Sequence, residues 1–350
     1  MPAPLLIYGA TGYSGRKLVA EAQAHGLAPI LAGRNAAKLA PLGDTVRLPW
    51  RAATLEDHAL DAALADVAVV LNAAGPFSHT ADALAAACIR TGTHYLDIAG
   101  EVRVAARMAE RHAMAHRRGV MLMPAVGFDV VPSDCLAAHV TRRLPGARRL
   151  ATAVTQPRFL SLGSIRTLID SVDVGLARRA GALASVAVGS IERAFDFGWG
   201  PVPCLNVSFA DVVTAYYTTG VPSVTTFVEA SPLARAVLSL PRALAPVLRM
   251  PGAHDLLRGW AALLPGDAVT TGTRDDVTMR VVVEAEDAAG HRARARLRTP
   301  EVYALTATAA IAVAARVLTG DVEPGFQTPA RVYGPDFVLT LGGVEREDLE

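Results

Sequence analysis

The sequence predicts an α/β protein: a doubly wound parallel sheet in residues 1–131, a second α+β domain for substrate binding or dimerisation in residues 132–300, and a C-terminal helix and tail in residues 301–350 that pack back on the first domain. Three observations carry this. Short apolar runs alternate with helical patterns through the first ~125 residues, the signature of repeated βα units whose parallel sheet is covered on both faces. A glycine-rich turn follows the first apolar run and opens the first helical stretch. Beyond Val131 the pattern changes to longer segments rich in Val, Thr, Phe and Tyr, which read as strands of a mostly antiparallel sheet.

Taken in order, Leu5 to Tyr8 is a strand, and Arg16 to His25 is a helix that stops at the C-cap Gly26. Strands are expected at Pro29 to Gly33, Thr45 to Leu48, Val67 to Asn72, His94 to Ile98 and Val120 to Met123, with helices at Thr80 to Thr91 and Val102 to Arg118. In the second domain a helix is expected from Pro132 to Arg143, a strand near Leu150 to Gln156 and a helical stretch from Ser164 to Arg179. Cys204 to Thr214, Val224 to Ala230, Thr278 to Ala285 and Ala293 to Thr299 read as strands. Leu233 to Leu264 is proline-interrupted and amphipathic, with Arg235, Arg242, Arg249 and Arg258 among Leu and Ala. It is read as a cover for the sheet or an apolar pocket lining, with a peripheral membrane contact as the sharper alternative. Val302 to Leu318 is an Ala-rich helix ending before Gly320.

Hydrophobic residues make up 51% and charged residues 19%, yet no apolar run reaches the ~18 residues of a spanning helix. The start has no basic leader, which suggests a cytoplasmic protein. Cys88, Cys135 and Cys204 lie far apart, so neither a disulfide framework nor a zinc site is indicated. The net charge of +1, with signs interspersed, gives no reason to expect nucleic acid.

The loop Gly9-Ala10-Thr11-Gly12-Tyr13-Ser14-Gly15 stands between a strand and a helix. Glycines there allow a tight turn and close approach of backbone to a pyrophosphate, and the helix N-terminus supplies N–H groups and a positive dipole end. This is a Rossmann-type dinucleotide site. The second strand ends in Gly33-Arg34-Asn35, where an NAD-specific site would place a carboxylate on the ribose. A guanidinium suits a 2′-phosphate, so NADP(H) is the expected cofactor. Parallel sheets bind ligands at the carboxyl ends of their strands, so Asn72, Ala73, Ala74, Gly75 and Phe77 are expected near the ribose and nicotinamide, and Asp97 joins the cofactor-binding set.

Together, Tyr8 to Gly15, Ala32 to Asn35, Asn72 to Phe77, Thr93 to Asp97 and Gly127 to Asp134 resemble the saccharopine dehydrogenase-like oxidoreductases. The likeness is nearest to the branch containing the trans-acting enoyl reductases, and it extends through Ala215 to Pro222 and on to Thr328-Pro329-Ala330. The resemblance implies an NADP(H)-binding domain, a second domain inserted before the final helix, and a homodimer. It also implies hydride transfer, to C=N bonds in the wider family and to activated C=C bonds in the nearer branch. Because the second-domain strands look mainly apolar and hydroxyl-bearing, an acyl or polyketide-type substrate, small or carrier-bound, is preferred over a multiply carboxylated one.

Hydride transfer needs a dry pocket and a group that donates a proton or stabilises charge. Asp129, Tyr95 and Asp134 are the catalytic candidates, although Asp134 is equally suited to capping its helix and Tyr95 to the core. Tyr13 and Lys17 have the YxxxK spacing of short-chain dehydrogenases but lie in the phosphate loop. His112 and His116 sit one helical turn apart without a third ligand, so no metal is assigned. The expected activity is an NADPH-dependent reduction of an activated C=C bond. Imine reduction and a non-catalytic NADP(H)-binding sensor or scaffold are the alternatives.

Overall fold

The computed structural model describes residues 4–156, 159–160, 175–230, 235, 269–270 and 278–350. The chain divides into two compact units, each discontinuous in sequence: Met1–Val131 with Val302–Leu341, and Pro132–Glu301 with Gly342–Glu350.

In the first unit, β1 (Leu5–Tyr8) leads into α1 (Tyr13–Ala24), followed by β2 (Ile30–Gly33), α2 (Ala36–Val46), β3 (Trp50–Ala52) and α3 (Asp57–Leu64). Next come β4 (Val69–Asn72), α4 (Phe77–Thr91), β5 (His94–Asp97), α5 (Val102–Glu110), α6 (His112–Arg117) and β6 (Met121–Met123). The helix α7 (Val131–Arg143) leads into the second unit.

That unit holds β7 (Arg149–Val154), β8 (Phe159–Leu160), β9 (Leu176–Arg179), β10 (Ala182–Ser185), β11 (Glu192–Asp196), β12 (Pro201–Val207), α8 (Asp211–Thr219) and β13 (Ser223–Glu229). It continues with β14 (Val269–Thr270), β15 (Met279–Glu286) and β16 (Arg292–Thr299). The chain then returns to the first unit as α9 (Val302–Leu318), β17 (Gly325–Phe326) and α10 (Pro329–Tyr333), and ends as β18 (Glu345–Leu349) in the second.

The first sheet has the order β3-β2-β1-β4-β5-β6-β17, with every pairing parallel. Its order reverses between β1 and β4, the switch point at which doubly wound sheets leave a crevice for a ligand. Strands β1 and β4 are buried along their whole length, as a sheet covered on both faces requires. The second sheet is mixed. β13 and β7 are parallel, whereas β15 pairs antiparallel with both β7 and β16.

Several expectations are corrected. Thr45 to Leu48 is not a strand: Thr45 and Val46 finish α2, Arg47 turns left-handed at φ 55°, and the strand begins at Trp50. Thr45 Oγ1 donates back to the Pro41 carbonyl at 2.7 Å, a local bond that satisfies a helix carbonyl beside a β-branched residue. The helices α2 and α3 were not read from the pattern, and the expected Val102 to Arg118 helix breaks at Arg111. In Cys204 to Thr214 only the first part is strand. Val212, Val213 and Thr214 are helical because α8 buries them, and burial overrides their weak helix propensity.

Of the expected Ser164 to Arg179 helix, residues 164–174 lie outside the described residues, and Leu176 to Arg179 is a strand. The stretch Leu233 to Leu264, with Arg242, Arg249 and Arg258, lies outside them except for Arg235. The tail does not stay with the first unit: β18 pairs antiparallel with β16. Among the described residues no helix is long and apolar enough to cross a membrane.

Candidate functional site

At Gly9 and Gly15 the loop after β1 is packed too tightly for a side chain. A Cβ on Gly9, whose φ is +88°, would stand 2.7 Å from the Ala74 amide nitrogen. One on Gly15 would stand 2.2 Å from the Gly9 carbonyl oxygen. The loops after β1 and β4 therefore touch through backbone, bringing Ala73 and Ala74 beside the glycine turn. No side chain caps α1, and its first turn holds no acidic residue, so its positive end faces an incoming anion without competition. The cradle fits a pyrophosphate, with Gly9 to Gly15 supplying the backbone contacts. Tyr13 serves packing as well: its ring meets Tyr303 of α9 edge-on at 5.0 Å.

Arg34, just past β2, is exposed and makes no ion pair among the described residues. It lies near enough to Tyr8 to oppose the rise that burial imposes on that phenol. An unengaged guanidinium at this position fits a 2′-phosphate. Asn35 is spent on α2: its Oδ1 accepts from the Lys38 amide at 3.2 Å as an N-cap.

At the ends of β4 and β5 a buried polar network joins Asn72, Tyr95 and Asp97. Asn72 Oδ1 accepts from the Ala74 amide at 3.0 Å, and its Nδ2 donates to Thr80 Oγ1 and to the Tyr95 hydroxyl. Tyr95 donates to Asp97 Oδ2 at 2.7 Å, and Asp97 Oδ1 accepts from the amides of Ala99 at 2.9 Å and Ala125 at 2.7 Å. One carboxylate thus ties the loops after β5 and β6 together and, through Tyr95 and Asn72, the loop after β4. It also holds Ala125 at φ 59°, a left-handed conformation that alanine adopts at a cost. Burial raises the Asp97 carboxyl to about 6, against the lowering by its two amide donors and Tyr95. Burial also pushes the Tyr95 phenol well above its ordinary range.

Two assignments change accordingly. Tyr95 has no exposed surface, so it supports loops rather than meeting a substrate. Asp97 is equally buried, with both oxygens engaged inside the protein, so it shapes the cofactor loops rather than contacting a cofactor. Phe77, expected as an apolar wall, opens α4 almost wholly buried, and its amide donates to Glu101 Oε1 at 3.2 Å. Gly75 joins Pro76 through a cis peptide bond.

Asp129 differs from its fellow candidates. It is exposed, and desolvation by the protein around it raises its carboxyl to about 6. Its Oδ2 lies 2.5 Å from where a Cβ on Gly100 would be, so the glycine after β5 clears the space the carboxylate occupies. The preceding backbone is fixed by α9: the Phe128 amide donates to Thr306 Oγ1 at 3.0 Å, and Gly127 lies flush against that side chain. Asp134 belongs to the second unit, in the first turn of α7. It is 1% exposed and accepts from Thr218 Oγ1 at 2.5 Å, which suits a buried structural carboxylate. Of the three catalytic candidates, only Asp129 reaches solvent.

The sequence reading passed over Gly100 and Thr306, whose roles depend on contacts between distant segments. It also underrated the arginines of the second unit. Arg149, Arg179, Arg193 and Arg292, one on each of four strands, converge on a single cavity there, a convergence set by strand pairing and not by any spacing along the sequence. Among the described residues no group of three or more His, Cys, Asp or Glu is arranged to hold a metal ion. The three cysteines are buried and free.

The strand order, the glycine cradle and the cationic end of β2 define a dinucleotide-binding domain of the Rossmann class. Residues 5–123 match the family model of the saccharopine dehydrogenase NADP binding domain. The trans-acting enoyl reductase of Mycobacterium leprae (strain TN) is 37% identical over 151 residues, covering 40% of this chain and 36% of that protein. A probable mitochondrial saccharopine dehydrogenase-like oxidoreductase of Arabidopsis thaliana is 31% identical over 153 residues, 37% of this chain and 33% of that protein. The matched stretch spans about a third of the length of these curated relatives. The apo saccharopine dehydrogenase (L-Glu forming) of Saccharomyces cerevisiae has the same fold, with a TM-score of 0.64 at 14% identity over 99% of this chain and all of that one.

Proposed function

We propose that the chain is an NADPH-dependent reductase that saturates an activated C=C bond in an apolar acyl or polyketide-type substrate, free or carrier-bound. The observation that carries the reading is Asp129, an exposed carboxyl raised to about 6 at the carboxyl edge of a sheet whose NADP cradle opens on the same edge. A carboxyl held partly protonated near neutral pH suits a proton donor. The mycobacterial relatives named trans-acting enoyl reductase support the C=C chemistry.

NADPH, when bound, supplies a hydride. The chain's own residues do the rest. Gly9 to Gly15 and the α1 N-terminus receive the pyrophosphate, and Arg34 the 2′-phosphate. Asp97, through Ala125, sets the course of the loop that carries Asp129. Asp129 delivers a proton to the substrate carbon next to the activating carbonyl, which quenches the enolate left after reduction of the β-carbon.

Imine reduction is the second reading, favoured by the arginine-rich cavity of the second unit and by the Arabidopsis relative's name. We also propose that the protein is a homodimer. The deciding experiment follows NADPH oxidation by the purified full chain against enoyl thioesters, free and carrier-bound, and against keto acid plus amine pairs. Turnover of an enoyl thioester supports the proposal, and turnover of the keto acid pairs alone replaces it with imine chemistry. NADPH binding without turnover of any of these points to the sensor or scaffold role.

A further inference from the structure

One face of the second sheet holds a cavity of about 440 Å³, within the size range of small-metabolite sites. The strand register shows how it arises. Ser223 of β13, Arg149 of β7, Glu286 of β15 and Arg292 of β16 stand opposite one another in a row across four strands. Two residues further along, Thr225, Ala151 and Glu284 form the next row on the same face. Ala151 is nearly buried and sits centrally among longer polar side chains, so its short side chain leaves a floor. Arg179 of β9 and Arg193 of β11 line the same cavity.

The charges do not balance. Glu286 pairs with both Arg149 and Arg292, and Glu284 pairs with Arg193. Four guanidinium groups therefore meet two carboxylates, and Arg179 has no carboxylate partner among the described residues. It is part-buried, and its Nη1 donates to Thr225 Oγ1 at 2.6 Å and to the Arg178 carbonyl at 3.2 Å. The Nε and Nη2 edge, the one that grips an oxyanion in bidentate fashion, has no acceptor among the described residues. A half-buried guanidinium with an open edge beside two hydroxyls is poorly satisfied by the protein alone.

We propose that this cavity is a binding site for a small anion carrying a carboxylate or phosphate group, with Arg179 as the bidentate anchor, Arg149 as a rim cation and the Ser223 and Thr225 hydroxyls beside them. The inference stands apart from the reductase reading because it is tested by binding alone.

The test is calorimetric titration of the full chain with inorganic phosphate and with glutarate at constant ionic strength, for the wild type, Arg179→Gln and Arg149→Gln. Arg117→Gln, an exposed position of α6 in the other unit, serves as control. Thermal melting establishes that each variant is folded. The expected result is saturable binding of at least one anion, weakened tenfold or more by Arg179→Gln, weakened less by Arg149→Gln, and unchanged in Arg117→Gln. Phosphate binding alone identifies a phosphate ester as the ligand class, and glutarate binding alone a carboxylate. Should Arg179→Gln fail to fold, weakening by Arg149→Gln carries the test. Binding of neither anion, or binding that the cavity variants leave at wild-type strength, overturns the proposal.

Discussion

Asp129 and Asp97 show how two carboxyls with similarly raised values serve different ends, because one meets solvent and the other does not. If Asp129 gives up a proton, Asp129→Asn should lower turnover about 10²- to 10⁴-fold, the usual worth of general acid catalysis, while NADPH affinity stays within error. The acid form is the active one, so wild-type turnover should decline as pH rises through about 6, and a profile that climbs instead removes the assignment. Asp97 affects stability. Its folded value of about 6 exceeds the ordinary aspartate value of 3.8, so between those limits the folded state binds more protons than the unfolded state. Stability should therefore fall as pH rises from about 4 to about 6, by roughly 2–3 kcal/mol from this group. Chemical denaturation across that window should show a shallower pH dependence in Asp97→Asn; parallel curves would refute the burial argument. At the other end of the cofactor, Arg34→Ala should cut the preference for NADPH over NADH about tenfold or more, as loss of a charged hydrogen bond implies. An unchanged ratio of the two dissociation constants would move the phosphate contact elsewhere.

Among the elements, α9 matters most for placing the site, since it enters the first unit from a distant part of the sequence. Thr306 accepts the Phe128 amide and leaves room only for glycine at position 127. Thr306→Val keeps the shape and removes the acceptor, so a loss of about 1–3 kcal/mol is expected in urea denaturation, with a lower turnover and intact NADPH binding. Equal losses of turnover and NADPH affinity would mean that the whole sheet edge, not only the Asp129 loop, depends on this contact. The elements also show which signals were legible. The β1 strand, the glycine turn and α9 stood out because apolar period, glycine spacing and an alanine-rich stretch free of Gly and Pro are local properties. The α2–β3 region did not, because Thr45 and Val46 favour strand locally. The helix persists because Leu39 and Leu42 are buried, and because Gly43 comes close enough to Trp50 that a Cβ would stand 2.6 Å from its ring.

For the molecule as a whole, the final fifty residues complete both units. The first takes α9 and β17, the latter pairing parallel with β6, and the second takes β18, whose Glu345 and Glu347 pair with Arg298 and Arg296 of β16. A chain ending at residue 300 would expose the apolar face of α1 that α9 covers and leave β6 as an open edge, which favours aggregation. Such a truncation should lose cooperative melting and NADPH binding together, whereas a chain ending at residue 343 should keep NADPH binding. Retained binding by the shorter chain would show that the first unit folds without its C-terminal part.

By itself the sequence determined the class of the first domain, its cofactor loop and the cationic end of β2, because glycine turns, strand periodicity and an arginine in place of a carboxylate are legible from neighbours in the chain. Only the tertiary structure decided which carboxylate reaches solvent, that Asp97 pins loops rather than touching a cofactor, that the tail joins the second sheet, and that four scattered arginines share one cavity. Each of these depends on strand register and on contacts between segments far apart in sequence, and a one-residue shift in register would send the same side chains to the opposite face.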